Sequence, residues 1–256
     1  MRKVILKDTL MNLQTAIQNK TREKLFVSLA TKPGTTGVRF YTRLFEMHGI
    51  NAEYVACECT DLARDMTLVR EYCAGASVTM PYKQQVLNYI DVNYSAFTPV
   101  NTILNDRGFL SGYNCDLLGL TDLIHHQVQG KTVNILGSGA MSKNVKIICA
   151  DQAEFCKIYS RKHGNWAMRN TNYDVLINTT SIGMDGEECP INPANVSLVV
   201  DCVIGNTPLI QRAAKHGSRV ISGNDIYLAQ LRYQFKLYTG ISLDTSVLKD
   251  LAKTIW

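Results

Sequence analysis

Residues 132–150, "TVNILGSGAMSKNVKIICA", run from an apolar strand through a glycine turn into a helix. That order is the opening unit of a dinucleotide-binding fold. Gly137 allows the tight turn, and Gly139 lets backbone amides approach a pyrophosphate at the helix N-terminus. The usual third glycine is replaced by Ser142, still small enough for close helix packing. An ordinary strand-to-helix join can carry the same glycines, so this stretch leaves both readings open.

The next strand, in "EFCKIYSRK" (154–162), sharpens the choice. An NAD site wants an acidic residue about 20 residues past the glycines, to bind ribose hydroxyls. Ser160, Arg161 and Lys162 stand there instead. A guanidinium and an ammonium suit a 2′-phosphate, which favours NADP over NAD and disfavours S-adenosylmethionine. A solvated basic loop is the plainer alternative. "YDVLINTTSIGM" (173–184) and "LVVDCVIGNTPL" (198–209) are buried-strand runs whose ends carry small polar residues and glycine. Such ends, at the carboxyl edge of a parallel sheet, are where cofactors bind. Between Arg161 and "DVLIN" lie only the twelve residues "KHGNWAMRNTNY", room for one short helix and no further strand.

Upstream, the chain also alternates strand and helix. Asp8 can cap a first helix with Leu10, Leu13 and Ile17 on one face. "KLFVSL" (24–29), "AEYVAC" (52–57) and "GASVT" (75–79) read as strands. Between them, Tyr41, Leu44, Phe45 and His48 share one face of a helix stopping at Gly49. Thr60 or Asp61 caps another helix, with Leu62, Met66, Val69 and Cys73 inward. This predicts a mostly parallel sheet covered by helices. "VNTILN" and "FLSGYN" around "DRG" then signal a hairpin, and "CDLLGLTDLIHHQ" (115–127) a helix. A domain boundary is placed near residue 115. Leu228, Leu231, Phe235 and Tyr238 mark a late amphipathic helix, followed by a short one after Asp244.

At 256 residues, 46% hydrophobic and 19% charged, the chain has the balance of a globular protein with a real core. The net charge of +5 is spread without basic runs, which speaks against nucleic-acid and membrane partners. Eight cysteines show no CxxC pair, and neither they nor the scattered histidines form a metal-ligand pattern. No segment reads as a signal peptide or a membrane span, so a cytoplasmic location is expected.

"ASVTMPYKQQV" (76–86) places Lys83 just past Pro81, where a strand joins what reads as a helix. Taken alone, Lys83 is most simply a solvated lysine.

In order, "SVTMPYK" (77–83), "PVNTILNDRGFLSGYNCDLLG" (99–119), "LGSGAMS" (136–142), "NTTSIGM" (178–184) and "GNDIYLAQLRYQF" (223–235) resemble the shikimate dehydrogenases. The resemblance implies an α/β protein of two domains. One is an N-terminal α/β substrate domain, residues 1–115 plus 224–256, and the other a shortened Rossmann NADP-binding domain, residues 116–223. It implies reduction of 3-dehydroshikimate to shikimate with NADPH, a step toward aromatic amino acids, by a monomer or homodimer that binds a shikimate-like carboxylate. Lys83 falls on the catalytic lysine and Asp116 on its partner aspartate. Thr79, Asn101 and Gln230 fall on residues that hold substrate hydroxyls, with Ser28, Thr35 and Ser77 also facing substrate. Gly137, Ser138, Gly139, Ala140 and Met141 match the pyrophosphate loop, and Ser160 with Arg161 the 2′-phosphate clasp beside Lys162. Thr180, Ser181, Met184 and Gly223 complete the cofactor positions.

The chemistry of the reaction fits such a pair. Hydride arriving at a ketone carbon leaves an alkoxide, and an ammonium held beside a carboxylate can protonate it as it forms. Three features depart from the family pattern. "SLATKPGTTGVRFYTRLF" (28–45) lacks the family's serine-x-serine grip and puts Thr35 and Gly37 there, as in a shikimate-dehydrogenase-like subgroup. Ser77 stands where asparagine is usual, and Ile204 where tyrosine is common. The short crossover after Arg161 omits a usual helix and edge strand. Alternative readings are a relative that has lost cofactor binding, or a quinate or aminoshikimate dehydrogenase.

Overall fold

The computed structural model describes residues 11–95 and 99–256, so the expected Asp8 cap and Leu10 lie outside the described residues. Helix α1 (Leu13–Gln18) is capped by Asn12, whose side chain accepts from the Thr15 amide. The chain then alternates through β1 (Lys24–Ala30), α2 (Thr36–Met47), β2 (Ala52–Glu58), α3 (Leu62–Tyr72) and β3 (Gly75–Val78). Asp61 caps α3 by accepting from the Arg64 amide.

Past β3 the expected helix is not an α-helix. Residues after Pro81 make a turn and one 3-10 turn, Gln85–Asn88, before β4 (Val92–Asn93) begins. The hairpin β5 (Thr102–Asp106) and β6 (Phe109–Tyr113) follows, turning through Arg107 and Gly108 at φ of 49° and 94°. Two successive positive φ values are what a tight turn matching strand twist requires.

These strands form a six-stranded sheet of order β2-β1-β3-β5-β6-β4, parallel across β2, β1 and β3 and antiparallel through the hairpin. Alternation along β1 supplies both faces. Leu25, Val27 and Leu29 point to a core shared with Leu13, Met66 and Val69. Full burial of each such side chain contributes roughly 1.5–3 kcal/mol. Phe26 points to the other face, where it stacks near Phe45 and Tyr238 with centroids 5.7 and 4.5 Å away. His48, the C-cap of α2, is exposed, with its ring centroid 5.6 Å from that of Phe235.

The second compact unit runs from Cys115 to Tyr233. It holds α4 (Cys115–Ile124), β7 (Thr132–Leu136), α5 (Ala140–Ala150), β8 (Phe155–Tyr159), β9 (Val175–Asn178), β10 (Leu198–Asp201), α6 (Pro208–Lys215), β11 (Arg219–Ile221) and most of α7 (Gly223–Thr239). Its sheet is all parallel, in the order β11-β10-β9-β7-β8. From β7 the chain goes outward to β8, then returns across to β9. The carboxyl ends of β7 and β9 therefore form a topological switch point, where open α/β sheets bind ligands. Between β8 and β9 lies only a 3-10 turn, Trp166–Arg169, and β8 is the edge strand.

The first unit comprises the residues up to Asn114 together with Gln234–Trp256, which include α8 (Thr245–Ile255). The return to it, expected at residue 224, thus comes at residue 234. The earlier part of α7 is tied into the second unit's own packing. Ile226 lies in its core, and Arg232 and Tyr233 both donate to Asp122 Oδ2. Gly119 of α4 also has no room for a Cβ, which would come within 2.6 Å of the Gln230 amide. Among the described residues no helix is long and apolar enough to cross a membrane.

Candidate functional site

In the second unit, the glycine turn sits at the switch point. Gly137 has φ of 109°, and an added Cβ would lie 2.5 Å from Thr179 Oγ1. Both facts restrict the position to glycine. Its amide donates to Tyr159 O at 2.8 Å, while Thr179 donates from its amide and its hydroxyl to Leu136 O at 2.8 and 2.6 Å. The ends of β8, β7 and β9 are thereby tied side by side. Gly139 is the N-cap of α5, without a side-chain cap, and a Cβ there would meet nothing within 4 Å. Open space beside the N-cap of an eleven-residue helix suits a pyrophosphate, which helix N-termini bind through their leading amides. Ser138, Ala140 and Met141 surround that opening and are all half-buried.

Arg161 and Lys162 are exposed directly beyond β8. Ser160, assigned to the same clasp, lies inward of them. It is 4% exposed, and its hydroxyl accepts from the His163 amide at 3.1 Å, so it shapes the loop from inside. Thr180 is similarly engaged, donating to Asn178 Oδ1 at 2.6 Å and accepting from the Ile182 amide. Ser181 and Met184 are exposed. Gly223 admits no side chain, since a Cβ would fall 2.2 Å from Val203 O.

A buried network missed at the sequence level braces these strand ends. Asp201, closing β10, accepts from Asn178 Nδ2 at 2.9 Å, from the Val203 amide at 3.1 Å and from the Thr207 hydroxyl at 2.5 Å. Its carboxyl pKa is raised by burial, against the lowering effect of those donors. "VVD" ending a buried run was the available signal, because a fully buried carboxylate needs partners.

In the first unit, the Lys83 turn is fastened to the carboxyl ends of the strands. Val78 donates to Asn101 O at 2.8 Å, Thr79 to Leu29 O at 3.1 Å, Tyr82 to Thr79 O at 2.9 Å, and Val100 to Lys83 O at 3.0 Å. Thr79, Asn101 and Lys83 are therefore neighbours along one set of backbone bonds. Lys83 and Thr79 are half-buried, and Asn101 is buried. The Asn101 side chain is held as well: Gln234 Nε2 donates to Thr102 Oγ1 at 2.7 Å, and Thr102 donates to Asn101 Oδ1 at 2.8 Å. Tyr41 completes the chain by donating to Gln234 Oε1 at 2.8 Å.

Ser77 and Ser28 meet a second set of hydroxyls. Tyr54 donates to Ser77 Oγ at 2.6 Å, and Ser77 lies 3.2 Å from the Tyr238 hydroxyl. Burial pushes the Tyr54 pKa up to about 12, with hydrogen bonds to Ser77 and Ser28 opposing it. Its ring stacks on Tyr41 at 4.2 Å, and Gly37 comes so close that a Cβ would lie 3.1 Å from Tyr54 Cε1. Thr35 is the N-cap of α2, with no capping hydrogen bond from its side chain. Asp116, in the first turn of α4, and Gln230, on α7, are half-buried and belong to the second unit. The sequence shows Tyr41 only as part of an apolar helix face and does not single out Tyr54 or Gln234, since aromatic residues on strands and helices read as core and a polar residue in a helix reads as surface. Among the described residues no group of three or more His, Cys, Asp or Glu could hold a metal ion.

Residues 36–103 match the shikimate dehydrogenase substrate binding domain. Over 245 residues the chain is 33% identical to a shikimate dehydrogenase-like protein of Haemophilus influenzae, covering 84% of this chain and 90% of that one. It is 29% identical to a shikimate dehydrogenase (NADP(+)) of Streptococcus pneumoniae over 80% of this chain and 87% of the other. In three dimensions it resembles the shikimate 5-dehydrogenase of Thermus thermophilus, solved with NADP(H) and shikimate, at a TM-score of 0.78 and 20% identity. That match covers 91% of this chain and all of that one, and speaks to the fold. By its likeness to the Haemophilus protein along most of both sequences, the chain belongs to the shikimate dehydrogenase family.

Proposed function

We propose that this chain is an NADP-dependent oxidoreductase acting on shikimate or a close cyclohexene or cyclohexane carboxylate. The observation that carries the reading is the fastening of the Lys83 turn beside Thr79 and Asn101 at the carboxyl ends of the first sheet. A solvated lysine has no need of such bracing. The cofactor half rests on the Gly137 turn, the open N-terminus of α5 and the exposed Arg161 and Lys162. Relatives named for NADP and shikimate support both halves.

Bound in the second unit's turn, NADP(H) would supply or accept a hydride at the ring carbon that bears the reacting oxygen. Lys83 Nζ donates a proton to that oxygen in reduction and takes it back in oxidation. Asp116 is assigned the carboxylate partner of that ammonium. Thr79, Asn101 and Gln230 hold ring hydroxyls, while Ser28, Thr35 and Ser77 form the substrate-facing hydroxyls. The Gly137–Met141 loop takes the pyrophosphate, and Arg161 with Lys162 the 2′-phosphate. General acid–base catalysis contributes typically 10²–10⁴-fold, so Lys83→Ala should lose roughly that factor in kcat while KM changes little. Near-normal turnover by that variant rules out the assigned chemistry. A screen of shikimate, quinate and amino analogues with NADP and NAD identifies the substrate.

The shortened crossover after β8 favours a second reading, a binding protein without productive cofactor use. NADPH titration separates the two, since saturable binding is required only by the first.

A further inference from the structure

The crossover from β8 to β9 replaces a helix and a strand with fifteen residues, 160–174, and these are tightly braced. Asn165 accepts from the Ser160 amide at 2.9 Å and donates to Ile158 O at 2.9 Å. Asn134 of β7 donates to Thr171 Oγ1 at 3.0 Å. Trp166 is half-buried against the second unit's core and lies under two cations. Arg169 Cζ is 4.5 Å from the indole centroid, and Arg161 Cζ is 6.0 Å from it.

The two arginines are not equivalent. Arg169 is spent on the loop, donating from Nε to Pro190 O at 2.8 Å and from Nη1 to Trp166 O at 3.0 Å. Arg161 is exposed, at the place where a 2′-phosphate is expected. A cation over an aromatic ring is attracted through the ring face, which leaves the guanidinium N–H edge available to a phosphate. An exposed arginine held this way loses less rotamer freedom when the anion arrives. We propose that Trp166 is a positioning residue that holds Arg161 for the 2′-phosphate, and so sets the preference for NADP over NAD in place of the missing helix and strand. This rests on the NADP reading above.

The test is a pair of titrations, NADPH and NADH, followed by the emission of the reduced nicotinamide. Trp166→Ala should raise the Kd for NADPH by about three- to thirtyfold while moving that for NADH by less than about twofold. Trp166→Phe, which keeps an aromatic face, should recover most of the NADPH affinity. In an Arg161→Ala background, Trp166→Ala should have no further effect on NADPH. Equal losses for both cofactors would mark a merely structural residue and overturn the proposal, as would unchanged NADPH binding. A wild-type chain without preference for NADPH overturns the cofactor reading itself, a result distinct from a preference that survives in Trp166→Ala.

Discussion

Tyr54 on β2 donates its hydroxyl to Ser77 Oγ on β3 at 2.6 Å, across the intervening strand β1. One side chain thus ties together three parallel strands at the level of the paired residues Ser28 and Ser77, proposed above to face substrate. Tyr54→Phe removes a buried donor and should cost roughly 1 kcal/mol of stability. In denaturant unfolding this appears as a lower midpoint at an unchanged slope. No change in midpoint would mean that the hydroxyl is as well served by water in the unfolded chain.

The same hydroxyl predicts an alkaline effect with a definite sign. Burial pushes its pKa up to about 12 from an ordinary 10.0. The folded state holds this proton more tightly, so the contribution to stability is full below pH 10 and falls as pH rises toward 12. Tyr54→Phe has no proton to lose, and its stability should decline less steeply over that window. Parallel declines in the two proteins would refute the assignment to Tyr54.

Gly137→Ala tests the cofactor turn. The substitution places a Cβ 2.5 Å from Thr179 Oγ1 at a φ of 109°, a conformation that costs an L-residue of order 1–3 kcal/mol. The loop must shift, and with it the amides at the start of α5. NADPH affinity should fall at least about tenfold, which corresponds to roughly 1.4 kcal/mol. Full retention of NADPH binding would remove this turn from the proposed pyrophosphate site.

Legibility from sequence followed the range of the interactions concerned. The apolar run of β1 makes it legible as a strand from local residues alone, but Leu25, Phe26, Val27 and Leu29 are all buried, so which face each takes is not. The Arg107–Gly108 turn and the Asp61 cap likewise depend on residues within a few positions. Asp65 shows the limit. It falls on the inward face of α3 with Leu62, Met66 and Val69 and is fully buried, accepting from Arg64 Nη2 at 2.9 Å, where pattern reading expects only apolar residues. The Lys83 segment is legible by its motif, whereas the helix expected there is a turn followed by the 3-10 turn Gln85–Asn88. Gln234, Tyr41 and Thr102 meet only after the chain has left the first unit and come back, and no local period encodes that meeting.

Asn105 is another such long-range part. Its Nδ2 donates to Val69 O, Arg70 O and Cys73 O at 3.0, 3.0 and 2.7 Å, and its Oδ1 accepts from the Gly108 amide at 2.7 Å. It ties the C-terminus of α3 to the hairpin turn with one amide group, reaching carbonyls of the last helical turn, of which Val69 O also accepts from the Cys73 amide. Asn105→Ala should cost about 2–3 kcal/mol, more than loss of an average hydrogen bond, with activity per folded molecule unchanged. A cost below about 0.5 kcal/mol, the level of an ordinary surface substitution, would show that water replaces all four bonds.

Gln234→Leu tests whether the network behind Asn101 serves function. The variant keeps a side chain of similar size but removes the acceptor for Tyr41 and the donor to Thr102. Thr102 is then free to turn away from Asn101 Oδ1, and the amide loses one of the partners that hold it. Because two buried polar groups lose a partner, stability should drop by roughly 2–4 kcal/mol. The functional signature is separate from that loss. At a temperature where the variant is fully folded, KM for the carboxylate substrate should rise about five- to tenfold, which is of order 1–1.4 kcal/mol of uniform binding, while kcat and the Kd for NADPH stay near wild type. A matched fall in kcat with unchanged KM would instead place the network behind the proton transfer. Wild-type values of all three constants would leave Gln234 as a packing residue and detach Asn101's orientation from substrate binding.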